Sequence, residues 1–539
     1  MPEKNKSDNT SSGKRKRLVL YLLLGLFTIL VITVTYLVYF SEDLAKNLLM
    51  EQLNEQLAPH AEIEIDEFIF SILPAAITLE GVRIVHNTPF EEIEPIRKTD
   101  SIRKFSFSKA SVEGFDLLRL VFRKQWHLQS FSVDGLQIDV VPFPDESDNE
   151  ADVPAYTFPL HISEVEIENS HFTSYRDRDG NLDIYSIKNL SGKVSRFTFS
   201  EPAAALHTYF DEIALRADSL SYKTTDGLYQ ILIHSFDADT ETESVTFEKA
   251  EIVPSKSATE MAAASGEQTD QYNLETGAFK AAGFQSKKWL RDNEINITSV
   301  VIDSPNLIIN RDKTYPRPDR DSRPLPQQQF IDLPFSVKID TIQLDSGSIR
   351  YIEKFPQQGR EGEISFHNMN VLVEDLQNKS REDSVRVHAS ANFLNEVPIE
   401  VYYLFSIRDN AGHSISGSMG GFQLNLINPI IENLTAKHIR QGTLDDFRFN
   451  FHANEYASTG SLYMIYNDLE LRFLDEESLE ETRSRRLRSF FANRLRIRAG
   501  NDANDPRDGT IDFERDTERS IFNYWWKSLL SGIEDVIIR

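Results

Sequence analysis

Twelve histidines, no cysteine and 84 acidic side chains are spread over 539 residues, and they form no recognised catalytic pattern. G-x-S-x-G, which sets a serine nucleophile on a strand-to-helix elbow, is absent; SISGSMGG at 414–421 has the composition without the spacing. H-E-x-x-H, the phosphate-cradling P-loop and the dinucleotide fingerprint are absent as well. DRDGNLD at 177–183 has the composition of a calcium loop. An EF-hand, however, wants an acid where Tyr175 stands and a glutamate where Ser186 stands. A hairpin turn on Asp179-Gly180 is the better expectation. His161, His171 and His234 sit in alternating strand-like stretches and read as polar-face residues. The expectation is therefore no enzyme, no metal site and no cofactor.

The residues that do recur at fixed spacing are apolar, and the chemistry open to them is the sheltering of hydrocarbon from water. Intervals of three, two and five repeat in Leu128/Phe131/Val133/Ile138, Ile162/Val165/Ile167/Phe172, Phe210/Ile213/Leu215/Leu220, Ile297/Val300/Ile302/Leu307 and Ile339/Ile342/Leu344/Ile349. The corner before each last residue reads DGLQ, ENSH, RADS, DSPN or DSGS, all rich in turn formers. A second phrase follows 23 to 27 residues after the first member, at Ile187 (SIKNLSG), Ile233 (LIHSFDA) and Phe366 (SFHNMNV), with FSFSKASV near 106–112 as an earlier relative. Repetition of this kind marks a supersecondary unit that must stack on its neighbours. The flanking period-two alternation makes that unit a β-meander with one apolar face. Two arrangements hide such a face: a sandwich against a second sheet, or a sheet curled into an open groove lined by these side chains and covered by acyl chains. About 25–30 strands at ~4.8 Å each make a rod on the order of 120–145 Å long.

Those strands must be carried somewhere. Residues 18–40 (LVLYLLLGLFTILVITVTYLVYF) run without a charge, long enough for a membrane span of ~20 residues. Lys14, Arg15, Lys16 and Arg17 precede them and Glu42 and Asp43 follow. The positive-inside rule then keeps residues 1–17 cytoplasmic and exports the rest, with 18–40 as an uncleaved signal anchor lacking a small-residue cleavage site. The net charge of −26 becomes −30 once the basic tail is set aside, which argues against a nucleic-acid partner. With no cysteine, an exported body this large relies on its sheet and core alone. Residues 41–60 read as a juxtamembrane helix and 61–474 as a continuous β-array. Within that array 142–157, 254–273 and 311–329 read as loops. Residues 475–539 read as a helical, capping segment. In it 475–492 form one helix with an arginine cluster, and 517–538 form another, capped by Thr517 or Ser520 and broken near Gly532. Phe522, Trp525 and Trp526 on the last helix are expected either to cap the array or to contact a partner.

The anchor, the short helix after it, ILPAAITLEGVRI at 72–84, WHLQSFSVDGLQIDVV at 126–141 and IRQGTLDDFRFNFHANEYASTGSLYMIYNDLELRFL at 439–474 together resemble the AsmA-like envelope proteins. The resemblance covers most of the chain through degenerate motifs that are specific only in combination. It implies a mainly β fold: one transmembrane helix, an elongated antiparallel repeating β-groove related to chorein-type lipid-transfer proteins, and short C-terminal helices. It also implies an inner-membrane, periplasm-facing protein that handles glycerophospholipid between membranes. Residues 517–539 depart from the piece through which the longest members reach an outer-membrane barrel. The competing reading is an anchored structural or assembly protein with closed β-sandwich domains that binds an envelope protein partner through the C-terminal tryptophan helix.

Overall fold

The computed structural model describes residues 61–86, 102–140, 160–199, 210–474 and 497–538, apart from short stretches inside these ranges. The expected tail, anchor and juxtamembrane helix, the stretch 142–157 and the helix expected over 475–492 lie outside the described residues.

The chain is mainly β. It begins with β1 (Ala61–Glu64), β2 (Glu67–Ile72), β3 (Ala75–His86), β4 (Ile102–Glu113), β5 (Trp126–Asp134) and β6 (Gln137–Val140). Long strands follow: β7 (Leu160–Arg178), β8 (Asn181–Phe199), β9 (Glu212–Lys223) and β10 (Tyr229–Asp239). Next come β11 (Ser244–Phe247), β12 (Lys249–Pro254), α1 (Ala258–Ser265), β13 (Asp270–Thr276), β14 (Phe279–Ala282) and α2 (Ser286–Asp292). The middle is built from β15 (Glu294–Asp303), β16 (Asn306–Asp312), α3 (Pro326–Ile331), β17 (Ser336–Lys354) and β18 (Glu361–Gln377). The rest is β19 (Ser384–Phe393), β20 (Val397–Ser406), β21 (His413–Met419), β22 (Phe422–Gln423), α4 (Asn428–Thr435), β23 (Lys437–Ala453), β24 (Ala457–Phe473), β25 (Gly509–Glu514) and α5 (Ile521–Ile537).

All 25 strands join one curled sheet. Among the described residues no second sheet faces it, so the sandwich arrangement is absent there. Six positions hold two short strands end to end (β1/β2, β5/β6, β11/β12, β13/β14, β15/β16 and β21/β22), which leaves 19 positions across the sheet. At ~4.8 Å per step the array is about 85 Å across, shorter than a count of separate strands implies. Pairing is antiparallel except where β5 and β6 lie parallel to β7, and β15 and β16 lie parallel to β17.

Residues paired directly across a ladder share a face, and this lets one row be followed through every position. It reads Phe68, Leu79, Ala110, Val133, Ile167, Gly192, Leu215, Ala238, Val245, Ala281, Val300 and Ile342. It continues through Val373, Val387, Tyr403, Ile415, Phe451, Gly460 and Ile511. The neighbouring row, one residue along each strand, points to the other face. It begins Thr78, Ser111, Ser132, Glu166 and Lys193, and farther on it holds Ser299, Thr341, Glu374 and Arg386. Period-two alternation thus gives a single sheet one oily and one polar side.

The repeated corners crease that sheet. A step of five in an unbroken strand would send Val133 and Ile138 to opposite faces. An extra residue in left-handed conformation restores the face, as a β-bulge does. Gly135, Asn169, Ser304 and Ser346 take φ between 45° and 66° at four of the five corners, and Gly81, Asn189, Ser235 and Asn368 do so on strands across from the corners, Ser235 opposite the RADS corner, which has no such residue of its own. A Cβ on Gly135 would also stand 2.4 Å from the Ser108 hydroxyl. Asparagine tolerates this backbone and ties the corners together: Asn169 donates to Asp134 at 2.7 Å and Asn189 to Asp218 at 2.8 Å. The step of three carries a second irregularity, where pairing skips Gln129/Ser163 and Thr298/Asp340. Arg196 and Asp375 there adopt φ of 53° and 57°. The three-two-five phrase is therefore the trace of two creases, which aggravate the sheet's natural twist into a curl.

Candidate functional site

The apolar phrases come together on the oily face. Leu128, Phe131 and Val133 of β5 pair with Ile162, Val165 and Ile167 of β7, and Ile138 pairs with Phe172. In the same manner Ile297, Val300 and Ile302 pair with Ile339, Ile342 and Leu344, and Leu307 with Ile349. The corners match too: Gly135 N–H donates to Glu168 O at 3.0 Å and Ser304 N–H to Asp345 O at 2.8 Å. Ile213, Leu215 and Leu220 sit between these blocks, opposite Val194, Gly192 and Ile187. The second phrase lies directly across from the first, as Phe172–Ile187, Leu220–Ile233 and Ile349–Phe366. Of the phrase positions, Leu128, Val133, Ile162 and Val300 are buried, while the others, Ile138, Ile302 and Leu344 among them, remain partly exposed.

What covers the face differs along its length. Over the middle strands, α1 tucks Met261 and Ala262 against β13 and β16 at one margin, and α2 rests on β15 with Trp289 edge-on to Phe335. Neither helix closes the face. From β18 onward it is filled. Phe330 and Ile331 of α3, together with Val373, Leu376 and Tyr403, pack on the buried pair Val385 and Phe405. Leu325, Phe447, Phe449, Phe451, Leu462, Ile511, Tyr524 and Val536 belong to one buried cluster. Gly417 makes room for the Phe449 ring, from which a Cβ would stand 2.6 Å, and Gly460 lets β24 approach the Phe451 backbone, from whose Cα a Cβ would stand 2.5 Å.

The last helix supplies the lid of that cluster. Ser520 caps it by accepting from Asn523 N–H, and Tyr524, Ser528, Gly532 and Val536 form its buried ridge. Gly532 does not break the helix. It marks the closest approach, where a Cβ on Gly509 would stand 2.2 Å from the Gly532 carbonyl. Trp525 faces inward, whereas Phe522 at 72% and Trp526 at 44% exposure face out, so the three aromatic residues singled out in the sequence divide between the two sides. Trp525 Nε1 donates to His413 Nε2 at 3.1 Å. An indole N–H can only donate, so the His413 proton sits on Nδ1, and the Gln327 amide 3.0 Å away must turn its oxygen toward it. Tyr403 Oη lies 3.2 Å from the same amide. Burial pushes the Tyr524 phenol up to about 12 and lowers the Arg515 guanidinium below its ordinary range. Arg515 is held by the Glu455 and Arg323 carbonyls and lies 5.7 Å from the Tyr524 ring centre.

Three sequence expectations need correction. The stretch 254–273 is not a simple loop: Ser257 and Glu260 form a capping box that starts α1, and β13 begins at Asp270. The stretch 311–329 holds the end of β16, the start of α3 and the buried Leu325, Gln327 and Gln328. The segment 475–539 is not helical throughout, because β25 pairs with β24 and completes the sheet. Sequence reasoning also missed His413 and Gln327, whose roles depend on partners 112 and 86 residues away.

Charged pairs stand at one end of the oily face itself, on β13, β16 and β17, in register with Leu274, Leu307 and Ile349. Arg311 grips Asp270 through two bonds of 2.6 and 2.5 Å, and Lys313 reaches Glu353 at 2.6 Å. Buried Asp312 accepts from Thr259, Thr314 and Lys354. Burial works to raise the Asp312 carboxyl, but these donors outweigh it and hold it far below the usual carboxylate range. Among the described residues no group of histidines and carboxylates is arranged to hold a metal, and no helix is long and apolar enough to cross a membrane. No family model matches this chain, and no curated protein matches it.

Proposed function

We propose that this protein is a non-enzymatic carrier that shelters phospholipid acyl chains on the oily face of its sheet, as an inner-membrane protein with residues 18–40 as its span and its body in the periplasm. The observation that carries this reading is the single apolar row through all 19 strand positions: over β2–β17 Ala110, Val133, Ala281 and Val300 are buried, while Phe68, Leu79, Ile167, Leu215, Val245 and Ile342 remain partly exposed. A soluble sheet does not ordinarily leave so long an apolar stripe partly open to water. Each methylene moved from water onto such a surface gains ~0.8 kcal/mol without directional contacts, so hydrocarbon can be held and still slide. The polar reverse face and the net charge of −26 suit a body that stays in water and off anionic headgroups.

The test is mass spectrometry of the full-length protein after detergent purification and exchange into detergent-free nanodiscs of a phospholipid foreign to the host. Host phospholipid retained at stoichiometric level supports the carrier. Its absence, with the protein folded by circular dichroism, refutes it and favours a structural role. The topology is checked separately by a periplasm-only reporter fused after residue 539, which is expected to be active.

A further inference from the structure

We infer that the oily path is one-ended: acyl chains occupy and leave it along β3–β17, while α5 stays in place as a fixed stop at the far end. This rests on the carrier reading above and goes beyond it. The phenylalanine rings of β23 occupy the part of the face where a chain would continue, with Phe451 only 2% exposed. The stop is not built to swing. Ser458 and Ser528, both fully buried, meet at 2.7 Å. Asp535 accepts from Thr510 N–H and from Arg507, each at 2.9 Å. The far end of the helix is held to the backbone of Ile497 and Arg498. His413 joins Trp525 of α5 to Gln327 of α3, so lifting either helix strands buried polar groups of the other. Mobile lids are drawn instead from weakly packed segments.

The chain has no cysteine, which allows a clean test on the full-length protein. The Ser458→Cys/Ser528→Cys pair places two thiols where the hydroxyls already touch, within disulfide reach. Transfer of a fluorescent phosphatidylethanolamine between phosphatidylethanolamine/phosphatidylglycerol vesicles is expected to agree within two-fold in the oxidised and reduced states. A ten-fold loss on oxidation, reversed by reductant, overturns the fixed stop. A photo-crosslinking residue in place of Ile342 is expected to capture lipid, and one in place of Phe451 to capture none; this second measurement does not depend on the disulfide. Lipid captured at Phe451 overturns the one-ended path alone. Lipid at neither position, in folded variants, overturns the carrier reading and this inference with it.

Discussion

Ile342 and Phe451 stand on the same apolar row, yet one is partly exposed and the other sealed. The strands on which they lie alternate alike, although β17 is parallel to β15 and β23 is antiparallel to both its neighbours; what differs is the cover. Among the described residues between β3 and β17, α1 and α2 touch the margins, whereas from β18 onward α3, α4 and α5 fill the face. No described residue before Leu325 belongs to either buried cluster. One sheet therefore does two jobs with one pattern. Where helices are supplied it builds a conventional core, and where they are not it keeps an oily surface in reserve.

The comparison is most severely tested by deleting residues 517–539. Removing α5 uncovers Phe451, Leu462 and Ile511, and the protein is expected to melt at least 10 °C lower and to aggregate, with calorimetry and light scattering as the measurements. Unchanged melting would make α5 an accessory and erase the distinction. Next in size is a matched pair of truncations. Phe451→Ala is expected to cost about 3–5 kcal/mol in urea unfolding, and Ile342→Ala only about 1 kcal/mol, because its partly exposed side chain leaves little cavity. Equal costs would mean that the open region is packed as tightly as the closed one.

A charge sharpens the contrast further. Ile302→Asp on the partly exposed stretch is expected to cost about 1–2 kcal/mol, since its carboxylate can reach water, while bound phospholipid falls at least five-fold by mass spectrometry. Unfolding without a selective loss of lipid would place Ile302 in a closed core. The smallest expected effect is in the charged network around Asp312. Asp312→Asn is expected to cost about 1–2 kcal/mol at neutral pH. The folded protein holds the Asp312 carboxyl low, so its contribution is present above the ordinary carboxylate range, near pH 4, and is lost as pH falls below it. The gap between wild type and variant should thus narrow steadily in acid denaturation curves as pH falls from about 5 to about 2, and a gap of constant size over that range would rule out this account of the network.

Much of this was legible in the sequence, for a physical reason: alternation and turn residues are local. The intervals of three, two and five selected residues that share a face, and the Asp, Asn, Ser and Gly corners marked where the backbone turns left-handed. Non-local pairing left no such trace. Nothing in Leu128–Ile138 says that it lies parallel to Ile162–Phe172 instead of antiparallel, because both arrangements bury the same side chains. The end-to-end short strands were hidden for the same reason, which is why the array is shorter than a count of strands suggests. The capping box at Ser257 and Glu260 is a local signal as well, lost in the small, polar composition around it. The His413 link joins residues too far apart in the chain for any spacing to reveal.

The matched creases have a consequence for how such a body can change in length. A residue added within a strand would throw every later crease out of line with its neighbours. A whole hairpin added between two positions leaves each crease facing another crease and widens the array by about 10 Å. Reach in this architecture is consequently counted in hairpins, in steps as regular as the marks on a ruler.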